Sequence, residues 1–337
     1  MNPQAIKTIS FKKNERNVFF HLLTACNLSC THCYINPDQH GKEPVPKDTM
    51  EEWLALFHDP EKETNLIFLG GEPTMHPDLA HGIRTAKKIG YHSITVDTNG
   101  FLFYDLLDNI APSDAVLSFS LDGPSAEIND PIRGSGVFST CTTNLRRSVD
   151  MGFKVSLIYT VSRQNIDHLH LMPALLQQMG VFRFFIQVIG LRGKSAATHE
   201  SKLQLTPEEW LGVIPETTRK AADLGIHVIF PKVFLDKDEV FECAGNVAEN
   251  YFIFPNGRVY LCPLCEDFPI NTFRIENSRL VRNTGLVENK FFSLKIPEGC
   301  VMNKLLQPGN LSYDETGRPV HRISCCLLKQ EIMGCGK

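Results

Sequence analysis

The chain alternates short apolar segments with segments of helical periodicity over more than half of its length. Six segments rich in β-branched and aromatic residues predict strands at 18–23, 65–69, 93–97, 115–120, 154–160 and 182–188. The intervening stretches have apolar residues at helical spacing, as in 49–57, 78–88, 137–151 and 166–178. Buried strands separated by helices pair in parallel through right-handed crossovers. This pattern predicts an α/β fold with a parallel sheet of six βα units.

Charge and hydropathy exclude several classes of partner. The 337 residues carry a net charge of -4, so no basic field attracts nucleic acid or an anionic membrane. The first 17 residues lack the apolar core of a signal peptide, and no later run of about 18 apolar residues could span a bilayer. We therefore expect a cytoplasmic protein with neither nucleic acid nor membrane as partner.

Cysteine usage suggests metal chemistry and a second domain. Eleven cysteines in a cytoplasmic protein are expected to stay reduced, which favours metal or iron-sulfur binding over disulfides. Seven of the eleven lie between Cys243 and Cys335, beyond the point where the alternation stops near Pro231. We expect a larger domain at 1–230 and a smaller, cysteine-rich domain at 231–337.

Three cysteines follow the first predicted strand. Chance would place Cys26, Cys30 and Cys33 at this spacing about one time in a hundred. A structural zinc site needs four ligands, and the only nearby candidate, His32, is adjacent to Cys33 and poorly placed to bind the same ion. An iron-sulfur cubane normally takes four thiolates, so three would leave one iron open to another ligand.

Further motifs follow the next three strands, where ligands gather in parallel sheets. They are Gly70-Gly71-Glu72-Pro73, Thr98-Asn99-Gly100 and Ser120-Leu121-Asp122-Gly123. Paired glycines allow a ligand to approach the backbone, and Glu72 can accept charge-assisted hydrogen bonds.

The cysteine spacing followed by Gly-Gly-Glu-Pro resembles the radical S-adenosylmethionine (SAM) superfamily, over about residues 18–187. The resemblance implies a partial (βα)6 TIM-like barrel. It also implies a 4Fe-4S cluster held by three cysteines, with SAM on the open iron. Enzymes of this superfamily cleave SAM reductively to a 5'-deoxyadenosyl radical, which abstracts hydrogen from a substrate.

The resemblance also implies SAM-binding roles. Gly70, Gly71, Glu72 and Pro73 correspond to the site of the SAM amino group, and His32 to an aromatic position near the adenine. A surface histidine and a solvated turn are the alternatives.

The motif after the fourth strand matches a second part of that SAM site. By resemblance, Ser120 and Asp122 contact the ribose and carboxylate, and Arg133 pairs with the methionine carboxylate. The alternative is a strand-ending turn whose loop Arg133 holds. Asn99 either joins the SAM site or caps a turn.

Three further loop residues, Tyr34, Arg192 and Lys194, could lie near the cluster or the substrate. Tyr34 is expected to pack beside the cluster. Arg192 and Lys194 could reach a substrate carboxylate or phosphate, or could be solvated loop charges.

The second domain opens with a predicted β-hairpin. The segments YFIF and RVYL flank the turn Pro255-Asn256-Gly257, which would bring Cys262 back toward Cys243. This region resembles SPASM or the shorter twitch domain, which implies at least one auxiliary 4Fe-4S cluster. The later cysteines depart from the full SPASM pattern.

Cys243, Cys262 and Cys265 are the favoured auxiliary ligands, with a fourth from Cys326 or Cys335. Neighbouring cysteines rarely face one metal together, so either Cys325 or Cys326 is expected to be a packing residue. A zinc ribbon and metal-free core cysteines remain alternatives.

One unligated thiol could return a hydrogen atom to a substrate radical. The candidates are Cys141 and Cys325, although Cys141 is expected to lie in the core of a helix.

These features favour a radical SAM enzyme that modifies a peptide or protein side chain by oxidation, cross-linking or epimerisation, with flavodoxin or ferredoxin as electron donor. Only about seventeen residues precede the first strand, which argues against a leader-binding domain there. The alternatives are an enzyme of small-molecule or cofactor biosynthesis, such as tetrapyrrole, molybdopterin-type or alcohol-oxidising enzymes, and an iron-sulfur electron carrier.

Overall fold

A computed structural model of the protein describes residues 5–103, 105–197 and 203–334. Its strands form one large open sheet. They are β1 (Lys7–Ile9), β2 (Glu15–His21), β3 (Glu63–Leu69), β4 (Ser93–Thr98), β5 (Val116–Ser120), β6 (Val155–Val161), β7 (Arg183–Val188), β8 (His227–Pro231), β9 (Glu249–Ile253), β10 (Arg258–Tyr260), β11 (Phe273–Glu276), β12 (Arg279–Arg282) and β13 (Lys329–Ile332).

Strands β2 to β8 pair in parallel and in chain order. The six predicted βα strands are confirmed as β2 to β7, and the sequence analysis missed the seventh, β8. The sheet does not close into a full barrel, in agreement with the partial barrel that the resemblance implies.

The α-helices lie mainly between these strands. They are α1 (Pro37–His40), α2 (Lys47–Phe57), α3 (Leu79–Ile89), α4 (Leu106–Asn109), α5 (Ala126–Arg133), α6 (Val137–Asp150), α7 (Met172–Gln178), α8 (Lys194–Ala197), α9 (Pro207–Asp223), α10 (Ala244–Val247), α11 (Asn289–Phe292) and α12 (Val301–Leu306). Helix α9 begins with a capping box between Thr206 and Glu209. None of the helices within the described ranges is long and apolar enough to cross a membrane.

The two faces of the parallel sheet differ in burial. Along β4, Ile94, Val96 and Thr98 are buried, whereas Thr95 and Asp97 between them stay partly accessible. Buried residues of this kind from successive strands join the helices in one large hydrophobic core. The residues that alternate with them along each strand point to the opposite face of the sheet, on the inside of the partial barrel. We call this face the inner wall.

The residues beyond Pro231 continue this sheet at both of its edges. Strand β9 pairs in parallel with β2 and turns into the predicted hairpin with β10, whereas β13 pairs antiparallel with β8 and with β1. The second cysteine-rich region is therefore joined to both edges of the parallel sheet, and the boundary at 230/231 remains a prediction.

Candidate active site

Three thiols lie on the loop that follows β2. Cys26 is exposed, Cys30 and Cys33 are half-buried, and none forms a disulfide. Cys26 Sγ accepts a hydrogen bond from the Leu28 amide at 3.4 Å and one from the Asn99 side chain at 3.6 Å. Although Cys26 is exposed as a residue, the protein atoms around its sulfur desolvate the thiol and raise its pKa to about 11, and the charges of Glu72, Cys30 and Cys33 add to this rise. A cation bound among the three thiols would relieve this cost of ionisation.

The donor set of this loop fits a cluster better than a single ion. Within the described ranges, no three Cys, His, Asp or Glu side chains converge where one metal ion could sit. A cubane binds each thiolate through a different iron, so its ligands need not converge on one atom. His32 is turned toward Asp122, with 2.7 Å between Nε2 and Oδ2. Three thiols would thus leave one iron without a ligand from this loop.

Glu72 is buried just after the end of β3, and hydrogen bonds from other residues of the protein fix its carboxylate. Its Oε1 accepts hydrogen bonds from the Thr74 amide (3.1 Å), the Thr74 hydroxyl (2.7 Å) and the Thr98 hydroxyl (2.7 Å). Its Oε2 accepts one, from the Asn99 amide at 2.7 Å. Burial raises the pKa of Glu72, and these donors oppose that rise. A carboxylate oxygen has two lone pairs, so Oε2 can still accept one donor from a ligand.

The glycines before Glu72 serve a purpose that the sequence analysis did not foresee. A Cβ on Gly70 would lie 2.3 Å from the carbonyl oxygen of Leu23, and one on Gly71 would lie 2.1 Å from that of Ala25. The missing side chains therefore let this turn pack against the chain that leads into the cysteine loop. The Gly71 and Glu72 amides donate to the same two carbonyls, which fixes Glu72 beside the thiols. Pro73 follows, buried, in a 3-10 turn.

Asp122 is buried and positions two other predicted site residues. Its Oδ2 lies 2.7 Å from both His32 Nε2 and Arg133 Nε, and its Oδ1 accepts from the Thr160 amide at 2.8 Å. Burial alone would raise the pKa of Asp122, but the charges of Arg133 and His32 outweigh it and lower that pKa. The chain's own groups occupy the carboxylate, so Asp122 orients His32 and Arg133. The backbone of Arg133 lies against the cysteine loop, where its carbonyl is 3.9 Å from Cys30 Sγ.

Asn99 and Ser120 lie at the ends of neighbouring strands. The Asn99 side chain donates to Asn27 Oδ1 at 2.8 Å as well as to Cys26 Sγ, so it ties β4 to the cysteine loop and does more than cap a turn. Asn27 is a contact that sequence reasoning missed. Ser120 is half-buried, and its carbonyl lies 3.9 Å from Cys141 Sγ.

Cys141 is buried on α6, as expected of a core residue. Its Sγ would lie 2.9 Å from a Cβ on Gly100, in a space bounded by the ring of Phe119. Burial raises the pKa of the Cys141 thiol to about 12. It lies on the helix side of the sheet, away from the inner wall, so this position does not favour it as a hydrogen donor.

A second group of thiols gathers beyond the hairpin. Side-chain hydrogen bonds connect Cys243 to Cys325, Cys325 to Cys326, Cys326 to Cys262 and Cys262 to Cys265. The turn presents the thiols of both Cys325 and Cys326 to this group, and the expectation that one of them is a packing residue stays a prediction. The last predicted candidate, Cys335, lies outside the described residues.

Four of these thiols, those of Cys243, Cys262, Cys325 and Cys326, border a small cavity of about 20 Å³, which is also lined by Cys300. The hydrogen bond to Cys325 and burial raise the pKa of Cys243 well above its ordinary value. Thiols packed this closely are the donor set of a site that binds through thiolates.

Glu288 fixes the backbone beside this second group of thiols. Its buried carboxylate accepts hydrogen bonds from the amides of Leu261 (2.7 Å), Cys262 (3.1 Å) and Thr272 (3.2 Å). Burial raises the pKa of Glu288 to about 7. No sequence signal marked this isolated acid, because its three donors are backbone amides from distant segments.

The loop after β7 touches both thiol groups. The guanidinium of Arg192 lies 4.6 Å from the ring centre of Tyr34 and 3.0 Å from Glu266 Oε2, and it also donates to the Pro263 carbonyl. The Lys194 side chain donates to Ser29 Oγ at 2.7 Å. Both cations are thus engaged by the protein itself, unlike either interpretation from the sequence.

Tyr34 packs beside the cysteine loop, as expected. It also contacts residues that lie between the two thiol groups. Its hydroxyl lies 3.0 Å from His21 Nε2, and the ring of His21 stacks on Phe254 at 4.0 Å. Phe254 stacks in turn on His40, whose Nε2 lies 3.2 Å from the Glu266 carbonyl. The two thiol groups are therefore connected by a continuous series of ring contacts and hydrogen bonds.

Comparison with known proteins agrees with this arrangement. The family model of the radical SAM superfamily matches residues 21–173, which include the cysteine loop, Glu72 and Asp122. The chain is 29% identical over 240 residues to Fe-coproporphyrin III synthase of Methanosarcina barkeri, covering 68% of this chain and 57% of that protein. It is 32% identical over 171 residues to the mycofactocin maturase MftC of Mycolicibacterium smegmatis, covering 48% of this chain and 41% of that protein.

The chain therefore spans about half the length of these curated relatives. Among solved structures, Streptococcus suis SuiB bound to precursor peptide SuiA superposes with a TM-score of 0.64 at 12% identity, covering 80% of this chain and 64% of that one. At this identity the likeness shows the fold. Members of the matched family use a 4Fe-4S cluster together with SAM. Residues 21–173 of the chain thus carry a domain of the radical SAM superfamily.

Proposed function

We propose that this chain is a radical SAM enzyme that uses Cys26, Cys30 and Cys33 to hold the 4Fe-4S cluster and abstracts hydrogen from a peptide or protein side chain. The observation that carries the proposal is the joining of the cysteine loop to Glu72 through Asn99, whose amide and side chain contact both. When bound, the cluster supplies the electron that splits SAM into methionine and a 5'-deoxyadenosyl radical. Asn99 therefore links Glu72, the acid proposed to bind SAM, to the cysteine loop proposed to hold the cluster.

The protein groups around the thiols have distinct roles toward SAM. Glu72 Oε2 retains one acceptor site, which suits the SAM ammonium group. Arg133, which is paired with Asp122 and whose backbone lies against the cysteine loop, suits the methionine carboxylate through its planar fork. The pairing of His32 with Asp122 fixes its ring orientation for contact with the adenine.

The second thiol group suits an auxiliary 4Fe-4S cluster. Five thiols, those of Cys243, Cys262, Cys265, Cys325 and Cys326, are more than the four that such a cluster needs. The auxiliary cluster would supply an acceptor for the electron left on an oxidised product. An electron carrier would have no use for a buried carboxylate with a spare acceptor beside the first thiols, so we favour the enzyme over that alternative.

The substrate class is part of the proposal. The mycofactocin maturase relative supports a peptide substrate. A carboxylated tetrapyrrole is the second candidate, because the match to Fe-coproporphyrin III synthase extends over 68% of the chain and so beyond the radical SAM region. Flavodoxin or ferredoxin would supply the electron in the cell.

Anaerobic reconstitution with iron and sulfide, followed by dithionite and SAM, tests the enzyme proposal. We expect 5'-deoxyadenosine and methionine in equal amounts, and neither product from a variant in which Cys26, Cys30 and Cys33 are alanine. Iron-loaded wild-type protein that forms no 5'-deoxyadenosine would contradict the proposal.

A further inference from the structure

Asn99 hydrogen-bonds to four different residues through three of its polar groups. Its backbone amide donates to Glu72 Oε2 at 2.7 Å, and its side-chain oxygen accepts from the Phe101 amide at 2.9 Å. Its side-chain nitrogen donates to Asn27 Oδ1 at 2.8 Å and to Cys26 Sγ at 3.6 Å. Asn99 is buried, with 7% of its surface exposed, so water has little access to these contacts.

The orientation of the Asn99 side chain follows from this network. The Phe101 backbone amide can only donate, so the group that faces it is the oxygen of the Asn99 side chain. The nitrogen then lies on the opposite side, toward the cysteine loop. A primary amide carries two hydrogens, and the two acceptors, Asn27 Oδ1 and Cys26 Sγ, take one each. The fold itself therefore positions an N–H donor at the sulfur of Cys26.

The sulfur of Cys26 has a different environment from that of Cys30. Cys26 Sγ receives a second donor, the Leu28 amide, at 3.4 Å. Cys30 Sγ lies 3.9 Å from the Arg133 carbonyl, which can only accept. A thiolate bound to iron has no hydrogen of its own, so donors stabilise it and a carbonyl does not. The two donors at Cys26 would thus stabilise negative charge at one corner of the proposed cluster.

Hydrogen bonds to the sulfurs of an iron-sulfur cluster are among the factors that set its reduction potential. Reduction adds one negative charge, and a buried N–H group beside a sulfur stabilises the more negative state. Such a donor raises the reduction potential, so the cluster becomes easier to reduce. Because cleavage of SAM requires the reduced cluster, this donor affects the fraction of enzyme that is ready to react.

We infer that the side chain of Asn99 is a positioning residue that raises the reduction potential of the proposed cluster through its hydrogen bond to Cys26 Sγ. This inference rests on the proposed function, because it assigns a role toward the cluster held by the cysteine loop. The backbone amide of Asn99 separately fixes Glu72, the acid proposed to bind SAM. The side chain can therefore be replaced without removing the donor to Glu72.

A purely structural role for Asn99 leads to a different expectation. The hydrogen bond to Asn27 ties β4 to the cysteine loop, and Asn27→Ala removes this tie while the Asn99 nitrogen stays beside Cys26. Asn99→Leu removes the tie and the donor to sulfur together, with little change in side-chain volume. Comparing these two variants therefore separates the tie from the donor.

Asn144 provides a matched control for the loss of a side-chain amide. Its nitrogen donates to the carbonyls of Gly100 and Phe101, at 2.8 and 3.4 Å, in the loop that follows Asn99. Asn144→Leu thus removes an amide that supports the same loop through contacts to carbonyls and not to sulfur.

The reduction potential is measured on anaerobically reconstituted protein without SAM, by mediated titration and electron paramagnetic resonance. The signal of the first cluster is the one that is absent when Cys26, Cys30 and Cys33 are alanine. For Asn99→Leu we expect the ratio of reduced to oxidised cluster at a fixed potential to be about tenfold smaller than in wild type, a shift of about 59 mV to lower potential. Asn27→Ala and Asn144→Leu should keep this ratio within about twofold of wild type.

Isotope labelling of the wild-type protein tests the contact directly. Protein made with asparagine carrying nitrogen-15 in its side chain should show a hyperfine coupling of this nucleus to the reduced first cluster. The coupling should be lost in Asn99→Leu and kept in Asn27→Ala. If Asn99→Leu does not load its cluster, Asn99→Asp replaces it, because it keeps the acceptor for the Phe101 amide and lacks the donor. Its potential should be lowered at least as much.

Three results would overturn the inference: an unchanged potential when the Asn99 donor is removed, an equal shift in Asn27→Ala, or wild-type protein without the hyperfine coupling. Formation of 5'-deoxyadenosine is measured on the same preparations after SAM is added. Its absence from iron-loaded wild type, with the potentials as expected, counts against the proposed function only. Its presence together with equal potentials in wild type and Asn99→Leu counts against this inference only.

Discussion

The guanidinium of Arg192 stacks on the ring of Tyr34, with 4.6 Å between Cζ and the ring centre. Tyr34 follows Cys33 directly, and the Glu266 carboxylate that pairs with Arg192 follows Cys265 directly. One side chain therefore bridges the two thiol groups, and the loop after β7 fixes their relative positions.

Replacing this cation should destabilise both thiol groups at once. Burial raises the pKa of Glu266 to about 8, so above that pH Arg192→Gln leaves its carboxylate without a counter-charge, at a cost of about 3 kcal/mol of unfolding free energy. The matched control is Arg163→Gln, on a half-exposed pair with Glu209, where the loss should be below about 1 kcal/mol. Thermal unfolding and iron retention against a chelator measure both effects. Equal losses in the two variants would show that Arg192 is an ordinary surface cation.

Removing the Glu72 carboxylate should separate SAM binding from cluster binding. Glu72→Ala removes the acceptor proposed for the ammonium group but none of the thiols, so we expect SAM affinity to fall by about tenfold or more while iron content is unchanged. Equilibrium binding and iron analysis provide the two readouts, with the exposed Glu61→Ala as control. A parallel loss of iron and SAM would instead make Glu72 a structural support of the loop.

Single substitutions in the second thiol group should distinguish its ligands from its neighbours. Wild-type protein with two cubanes holds about eight irons, and Cys243→Ala should reduce this to about four. Cys300→Ala should keep about eight irons, because Cys300 lines the cavity but lies outside the chain of thiol hydrogen bonds. Iron and sulfide analysis decides the question. Loss of auxiliary iron in the Cys300 variant would require a different ligand set.

Asp97 should make stability depend on pH. Its pKa is raised from the ordinary 3.8 to about 7, so between these values the folded protein holds a proton that the unfolded chain has released. Stability contributed by this group therefore decreases as pH rises toward about 7, by at most about 1.4 kcal/mol per pH unit. Asp97→Asn removes the titration.

The melting temperature of Asp97→Asn relative to wild type should accordingly increase from about pH 5.5 to about pH 8. The exposed Asp108→Asn serves as control and should follow wild type across the range. A constant difference between Asp97→Asn and wild type would show that Asp97 is ionised in the folded protein throughout.

The elements that local sequence determines were predictable. The six parallel strands and the hairpin at Pro255-Asn256-Gly257 agree with the structure, because periodicity and turn chemistry lie within a few neighbouring residues. The cysteine loop and the motif at Glu72 were equally visible, since each is contiguous. Segment 166–178 was predicted as one helix and contains a 3-10 turn at Ile166–Leu171 before α7.

Features that depend on distant pairing were not predictable from local patterns. The short strands β1, β8 and β13 are defined by one another across the sheet. The partnership of Arg192 with Tyr34 and Glu266 joins three separate segments, and the placement of both Cys325 and Cys326 at the second thiol group depends on how a turn docks. Each of these is decided by tertiary structure.

The position of β13 between β1 and β8 has a consequence for biosynthesis. A nascent chain that has left the ribosome as far as β8 presents two strands whose edges remain unpaired until residues 329–332 are made. During that interval, the exposed edges would favour association with chaperones or with other chains. Insertion of iron and sulfide at the second thiol group must likewise wait for Cys325 and Cys326, so the metal would be loaded only after strands β1 to β12 have been made.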